Sequence, residues 1–523
     1  MAWKSAVSVR MGGVVVVVAV AVGGALVWRS HVDARDDRRD AAQRFAMAWA
    51  RGDRPAMWRA LTAGARAAHP EAAFAAAYRS TDRAAGVRAV RIVRFGAEQN
   101  GKVALVVEVS TRDFGALRGT VSLPVAGAGA DAGVQWDHSL RLPGLRPREG
   151  VSSRSDSQPQ RALVLAADGT PLDATALGAS IAGQAGAHPS GLQRIYDRRL
   201  GGRPARRLLF GARVVARVPA VAGRSVQTTI KPRLMAQAAG VLGTRVGGVA
   251  VIRPRDGAVL ALAGLAVSAP QPPGSVFKII TAAGALQHGV ATRASTYPIR
   301  RFATLSGVKL YNASQEACGG TLTEAFSESC NSVFAPLGAK LGARRLVATA
   351  RRFGFDEQPA IPAAKPSTIS APSELHDSLA VGAAAIGQDR DLATPLTMAS
   401  VAATIALQGI RVAPRITTLD PVIRRRVIPT AVSDQVHAMM LDVVRSGTGT
   451  AAAISGLDIA GKTGTAELRP NSKDPKDATA WFVAFAPAND PKVAVAVMLI
   501  GAGFGGDTAA PAARNILQAA LHR

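Results

Sequence analysis

Aromatic residues make up only 5% of this 523-residue chain, two cysteines and eight histidines are its whole stock of thiol and imidazole ligands, and 36 acids face 63 lysines and arginines. Each scarcity excludes something. The few rings are not interleaved with the basic residues, so no stacking groove for nucleic acid is expected, although a net charge of +27 would otherwise raise that partner. The arginines are scattered among Ala, Gly and Val, a compositional bias that leaves attraction to anionic headgroups or wall polymers as the remaining role for charge. No His-Glu-x-x-His and no Cys-x-x-Cys occurs, so neither a metal site nor a cofactor is expected.

One long uncharged run is present. Gly12 to Trp28 spans 17 residues, at the short end of what crosses a bilayer. Lys4 and Arg10 precede it without acids, whereas Arg29 to Asp40 mixes four arginines with four aspartates. The positive-inside bias therefore predicts a cytoplasmic tail over 1–11, a single membrane anchor over 12–28 and the bulk of the chain outside the cytoplasm. A cleaved signal peptide is the alternative, since Gly23 and Ala25 are small enough for a cleavage site.

Chemistry enters at Pro273-Gly274-Ser275-Val276-Phe277-Lys278, which opens an apolar run, Ile279 to Leu286, that reads as a helix. Residues three apart share a helix face, so the Lys278 amine can reach the Ser275 hydroxyl. A desolvated lysine beside a serine can take its proton and make it a nucleophile. Ser306-Gly307-Val308-Lys309 repeats the spacing, but Gly307 and the apolar alternation around it argue against a helix there. Ser329-Cys330-Asn331 follows 54 positions after Ser275, and Lys462-Thr463-Gly464-Thr465 comes 131 positions after Asn331. A second serine and an asparagine can relay a proton to a leaving amine and hold the first lysine. The Lys-Thr-Gly-Thr segment offers a cation and hydroxyls to a carboxylate, and Gly464 would let a substrate lie against the backbone. Gly456 to Thr463 also fits the phosphate-loop pattern Gly-x4-Gly-Lys-Thr, but Gly464 and then Pro470 and Pro475 preclude the helix that such a loop opens.

Three motifs in this order resemble those of the penicillin-binding proteins, specifically class B, the monofunctional peptidoglycan D,D-transpeptidases. Gly248 to Ile252 and Ala258 to Ala263, hinged at Arg253 to Gly257, look like the family's opening hairpin; Ala385 to Gln388 with Ala393 to Ala399 look like its segment between the second and third motifs. The resemblance implies that Ser275 attacks the penultimate D-alanine carbonyl with Lys278 as base, that Ser329 passes the proton to the departing D-alanine, and that Asn331 orients Lys278 and the substrate amide. Lys462, Thr463 and Thr465 would bind the terminal carboxylate, and the amides of Ser275 and Thr465 would hold the oxyanion. The implied partners are D-Ala-D-Ala stem peptides, β-lactam antibiotics, the membrane, and a SEDS-type glycan polymerase with other wall-synthesis proteins.

The predicted architecture is multidomain α+β. Residues 41–148 pattern as helices (Ala46, Met47, Trp49; Met57, Trp58, Leu61; Ala73, Phe74, Tyr78) followed by strands near 87–95, 102–111 and 117–125, and resemble the family's NTF2-like N-terminal domain, with the aromatics as core. After a polar linker, Gly150 to Gln160, residues 161–235 resemble the pedestal or dimerisation segment. The resemblance implies that residues 240–523 form the transpeptidase domain, a serine β-lactamase-like antiparallel sheet flanked by helices. No glycosyltransferase segment fits, which is why class B is expected. A D,D-carboxypeptidase or β-lactam hydrolase would use the same serine with water as acceptor, but Glu374-Leu375-His376-Asp377 does not match the spacing of a deacylating glutamate and reads as a solvated loop. From another class, a noncatalytic wall scaffold could carry the same domain. Cys318 and Cys330 are candidates for a disulfide in an exported domain, with two free thiols as the alternative.

Overall fold

The computed structural model describes residues 32–388, 390–469 and 474–522. The tail and anchor expected over 1–28 lie outside them. Among the described residues, no helix is long and apolar enough to cross a membrane.

The chain divides into two compact units. The first comprises residues up to Arg161 together with Gly201–Gly223. Helices over 32–51, Arg54–Arg59, Ala63–Ala68 and Glu71–Ala85 precede an antiparallel sheet of Val87–Gln99, Lys102–Thr111, Ala116–Ala126 and Gly133–Val134. Pro at the first turn of Arg54–Arg59 and the Asp53 side chain on the Ala56 N–H start that helix, and Gly86 in the left-handed region ends Glu71–Ala85. Trp49, Phe74, Tyr78 and Trp136 are buried against one another, so these rings are core, with the Trp136 indole donating to the Tyr78 hydroxyl. Met47, expected on the same apolar face, is exposed instead.

The segment 161–235 is not a module of its own. Arg206–Phe210 pairs with Val151–Ser155 and Arg213–Val218, and Leu208 and Phe210 bury their side chains in the core of the first unit. Ala162–Leu200 and the residues from Arg224 belong to the second unit, where Val164–Leu165 runs parallel to Val226–Gln227. Burial of a few apolar side chains on each stretch, not chain continuity, decides where it goes.

The second unit is built on five antiparallel strands in the order Ala258–Gly264, Gly247–Arg253, Val493–Leu499, Ala478–Ala486 and Ala460–Glu467. The central strands are apolar at successive positions because the helices Pro232–Leu242, Pro395–Ala406 and Ala510–Leu521 pack against them. Pro395–Ala406, buried along its whole length and therefore apolar all round, packs on Val493–Leu499 and Gly247–Arg253. Its N-cap Thr394 accepts from the Thr397 N–H. The expected hairpin turns at Pro254–Asp256, and Gly257 closes it at positive φ. Asp256 locks that turn with Arg253 and Arg415, whose charges and hydrogen bonds outweigh its partial burial and hold its carboxyl at about 2.

Candidate active site

Ser275 lies in a 3-10 turn, Gly274–Phe277, that runs directly into the buried helix Lys278–Gln287. The turn is pinned from two sides. Gly274 has φ +52 and donates to the Gly387 carbonyl at 2.8 Å; a Cβ on Gly274 would lie 2.6 Å from the Thr465 carbonyl oxygen. Trp481, from the neighbouring strand, donates its indole N–H to Pro272 at 2.9 Å. The expected role of Gly464 changes accordingly: a Cβ there would meet Val276 Cγ1 at 2.9 Å and the Pro273 carbonyl at 3.0 Å, so glycine lets the strand and the nucleophile turn approach.

The second motif is placed by a capping box. Thr321 and Glu324 exchange side-chain and backbone bonds at the start of Leu322–Ser327, worth about 1 kcal/mol. That short helix delivers Ser329 at φ +60, a left-handed conformation that costs a non-glycine residue about 1–3 kcal/mol, and Asn331–Leu341 begins two residues later. Cys330, between Ser329 and Asn331, is disulfide-bonded to Cys318 on the adjoining strand Cys318–Thr321.

These elements converge on the Lys278 amine. Its Nζ is 2.6 Å from the Ser329 carbonyl oxygen, 2.7 Å from Asn331 Oδ1, 2.9 Å from Ser275 Oγ and 3.3 Å from Ser329 Oγ. The two nearest partners can only accept. A neutral amine has two N–H groups and one lone pair, so both hydrogens go to those oxygens and the lone pair is left facing the Ser275 hydroxyl. Lys278 is fully buried, and burial, followed by the charge of Lys462, holds its pKa well below the ordinary lysine value. Asn331 in turn donates from Nδ2 to the Tyr311 carbonyl at 2.8 Å, which fixes the carboxamide and leaves its second N–H uncommitted.

Lys462, on the edge strand Ala460–Glu467, is fully buried too and donates to Ser329 Oγ at 2.8 Å and to the Thr463 carbonyl at 3.1 Å. Burial brings it down to about 7, and Glu328 opposes that weakly. Ser329 Oγ thus accepts from Lys462 and lies 3.3 Å from the Lys278 amine, whose hydrogens are committed elsewhere. Because Ala460–Glu467 is a strand, no helix N-terminus follows Lys462-Thr463 and the phosphate-loop reading fails. The second Ser-x-x-Lys is a hairpin turn between Phe302–Leu305 and Val308–Tyr311; Ser306 bonds Ser378, and its lysine crosses to the Phe302 ring. Glu374 is exposed and accepts from the Ala371 N–H.

Thr448 escaped the motif reading. Its hydroxyl lies 2.6 Å from Thr463 Oγ1 and donates to the Ser327 carbonyl at 3.1 Å, so it ties the third motif to the helix that carries the second. The signal was the run Ser446-Gly447-Thr448-Gly449-Thr450: a Cβ on Gly447 would lie 2.2 Å from Ser327 Oγ, so only a glycine loop can come that close.

Ser275, Lys278, Ser329, Asn331 and Lys462 are therefore joined in one hydrogen-bonded cluster, the constellation of a serine acyl-transferase. The penicillin binding protein transpeptidase domain matches residues 247–518, and the chain belongs to that family. It is 37% identical to the peptidoglycan D,D-transpeptidase PbpA of Mycolicibacterium smegmatis over 64% of this chain and 79% of that one. In structure it is similar to the D,D-transpeptidase domain of a peptidoglycan glycosyltransferase from Eggerthella lenta (27% identity, TM-score 0.62, 70% of this chain and 99% of that one). It is also similar to penicillin-binding protein A of Mycobacterium tuberculosis in its penicillin G acyl-enzyme complex (28% identity, TM-score 0.59, 69% and 100%).

Proposed function

We propose that this chain is a class B peptidoglycan D,D-transpeptidase that crosslinks D-Ala-D-Ala stem peptides through an acyl-enzyme on Ser275 and is acylated by β-lactams at the same atom. The observation that carries the reading is the Lys278 amine, buried, with its two hydrogens committed and its lone pair on Ser275. The Ser275 proton passes to Lys278 as Oγ bonds the penultimate D-alanine carbonyl carbon, and the amides of Ser275 and Thr465 hold the oxyanion. Ser329, within reach of Lys278 and polarised by Lys462, carries the proton to the departing D-alanine nitrogen as its bond to the carbonyl breaks. An amine of a second stem then attacks the ester, returns its proton along the same path and restores Ser275. Lys462 and Thr465 receive the substrate carboxylate; the close Thr448 contact orients Thr463. The relatives support the reading: one bears the transpeptidase name, and another has been trapped as a penicillin acyl-enzyme.

An amine acceptor is favoured over water because Glu374 is exposed and turned to its own loop, and Glu357, also between the second and third motifs, is paired with Arg411. Incubation with benzylpenicillin should therefore add one penicilloyl group, located by peptide mass mapping on Ser275, and the adduct should outlast the removal of free drug. Adduct on another serine would refute the site, and prompt loss of label would move the reading to a hydrolase.

The anchor over 12–28, the extracytoplasmic location, the NTF2-like character of the first unit and partnership with a SEDS-type polymerase belong to the same proposal. Charge asymmetry around Gly12 to Trp28 supports the first two, and helices followed by an antiparallel sheet support the third. N-terminal sequencing of the membrane fraction should return the uncleaved chain; a mature start near Leu26 would rule the anchor out.

A further inference from the structure

The hairpin Phe302–Leu305 and Val308–Tyr311 has one face accounted for and one not. Ala303, Leu305 and Leu310 turn inward, with Ala303 buried and both leucines packed on the core of the second unit. Period-two alternation sends Phe302, Thr304, Lys309 and Tyr311 to the other face, where Phe302 pairs with Tyr311 and Thr304 with Lys309. The two rings are 5.3 Å apart at their centroids, and Lys309 Nζ stands 4.6 Å over Phe302. Arg300 and Arg301 enter the same place. With Phe302 and Thr304 they line an open cavity of about 410 Å3. Among the described residues, neither arginine side chain nor Lys309 has an acid in ion-pair range, and the three cations share this one small surface with the cavity. Three unpaired cations on one small surface repel one another, an arrangement that an anion relieves.

Two independent ties set this surface beside the catalytic cluster. The Tyr311 carbonyl holds the Asn331 carboxamide at 2.8 Å, and Tyr311 is the strand partner of Phe302. Arg300 is the strand partner of Cys318, whose Cα is 5.8 Å from that of Cys330, between Ser329 and Asn331. Asn312 makes the link rigid: buried, it donates to the carbonyls of Arg300 and Glu316 and accepts from the Ser332 N–H.

Resting on the transpeptidase reading, we infer that Arg300 and Arg301, with the Phe302 ring, form a subsite for a carboxylate carried by the peptide substrate upstream of its D-Ala-D-Ala end. The guanidinium forks supply bidentate donors to that carboxylate, and the ring covers the adjacent apolar chain. Arg300 and Arg301 act on specificity and take no part in the chemical step.

The test uses the full chain and two probes, adipyl penicillin and its terminal carboxamide, which differ only in the charge at the end of a flexible side chain. The second-order acylation rate of each is measured for the wild type and for Arg300→Gln/Arg301→Gln. The wild type should prefer the carboxylate, a preference that shrinks as salt is raised, and the variant should lower the carboxylate-to-carboxamide ratio by at least about fivefold. Carboxamide acylation should stay within about twofold, which keeps the transpeptidase reading intact whatever the ratio does. Arg300→Lys/Arg301→Lys should retain most of the preference. An unchanged ratio, or an equal loss of both rates, would overturn the subsite.

Discussion

Lys278→Ala is expected to slow acylation of Ser275 by penicillin by at least about 10³-fold, a barrier increase of about 4 kcal/mol, and Ser275→Ala to abolish labelling by a fluorescent penicillin. The size follows from geometry. The Lys278 lone pair is the acceptor placed 2.9 Å from Ser275 Oγ, and no carboxylate or imidazole stands in the cluster to replace it. Removing the side chain also leaves the Ser329 carbonyl and Asn331 Oδ1 without the hydrogens they receive, so the second motif loses its anchor in the same step. Lys278→Arg should not rescue, because a guanidinium keeps its proton and offers no lone pair. Ser306→Ala, in the hairpin copy of the motif, should leave acylation within about twofold, as a surface substitution does. Labelling that persists in Ser275→Ala would overturn the assignment, and a Lys278→Ala rate near the wild type would remove the lysine from the role of base.

The two Ser-x-x-Lys copies show what was legible in the chain and why. Apolar residues at Ile279, Ala283 and Leu286 signalled a helix after Ser275, whereas Gly307 and alternation signalled a turn at Ser306, and the structure has a helix and a hairpin at those places. Lys278–Gln287 is buried on every side through Ala285, so an unbroken apolar run and not a stripe marks that helix, whereas at the hairpin alternation was sufficient because burial follows it. The strands expected near 87–95, 102–111 and 117–125 run over Val87–Gln99, Lys102–Thr111 and Ala116–Ala126 for the same reason. What stayed hidden depends on backbone atoms and long-range approach. The acceptor for the Asn331 carboxamide is a carbonyl, of Tyr311, which any residue would supply. The partner that holds Thr463 is a single threonine in a glycine loop, and the surface that requires Gly464 is the nucleophile turn, distant in sequence. Pairing of Arg206–Phe210 with Val151–Ser155 assigned part of the expected pedestal to the first unit through two buried side chains, a tertiary choice that local pattern does not encode.

Acylation should be bell-shaped in pH, and Lys462→Arg should erase its alkaline limb. Lys278 works only as the free amine, and burial, reinforced by the positive charge of Lys462, holds its pKa well below the ordinary value, so activity rises with pH on the acid side as that proton leaves. Lys462 works only as the cation, because it must attract the substrate carboxylate and polarise Ser329, and burial brings it down to about 7, so activity falls as pH climbs past that point. The charge that Lys462 retains is the one that pushes Lys278 further down, so the two limbs report the pair. An arginine at 462 stays charged to beyond about pH 12, so the second-order rate should hold level to the end of the accessible range, at a reduced maximum because the larger fork must fit a fully buried slot. Lys462→Ala should lose the alkaline limb too, but it should differ at the acid end and in rate. Without the neighbouring charge the Lys278 pKa rises and the acid limb moves upward, and loss of the cation should cost about 10²-fold at pH 7, the scale of one transition-state donor. Stopped-flow acylation by a chromogenic β-lactam from pH 5 to 10 reads all three proteins. A flat wild-type profile, or an alkaline limb that survives in Lys462→Arg, would show that the catalytic charge does not reside on Lys462.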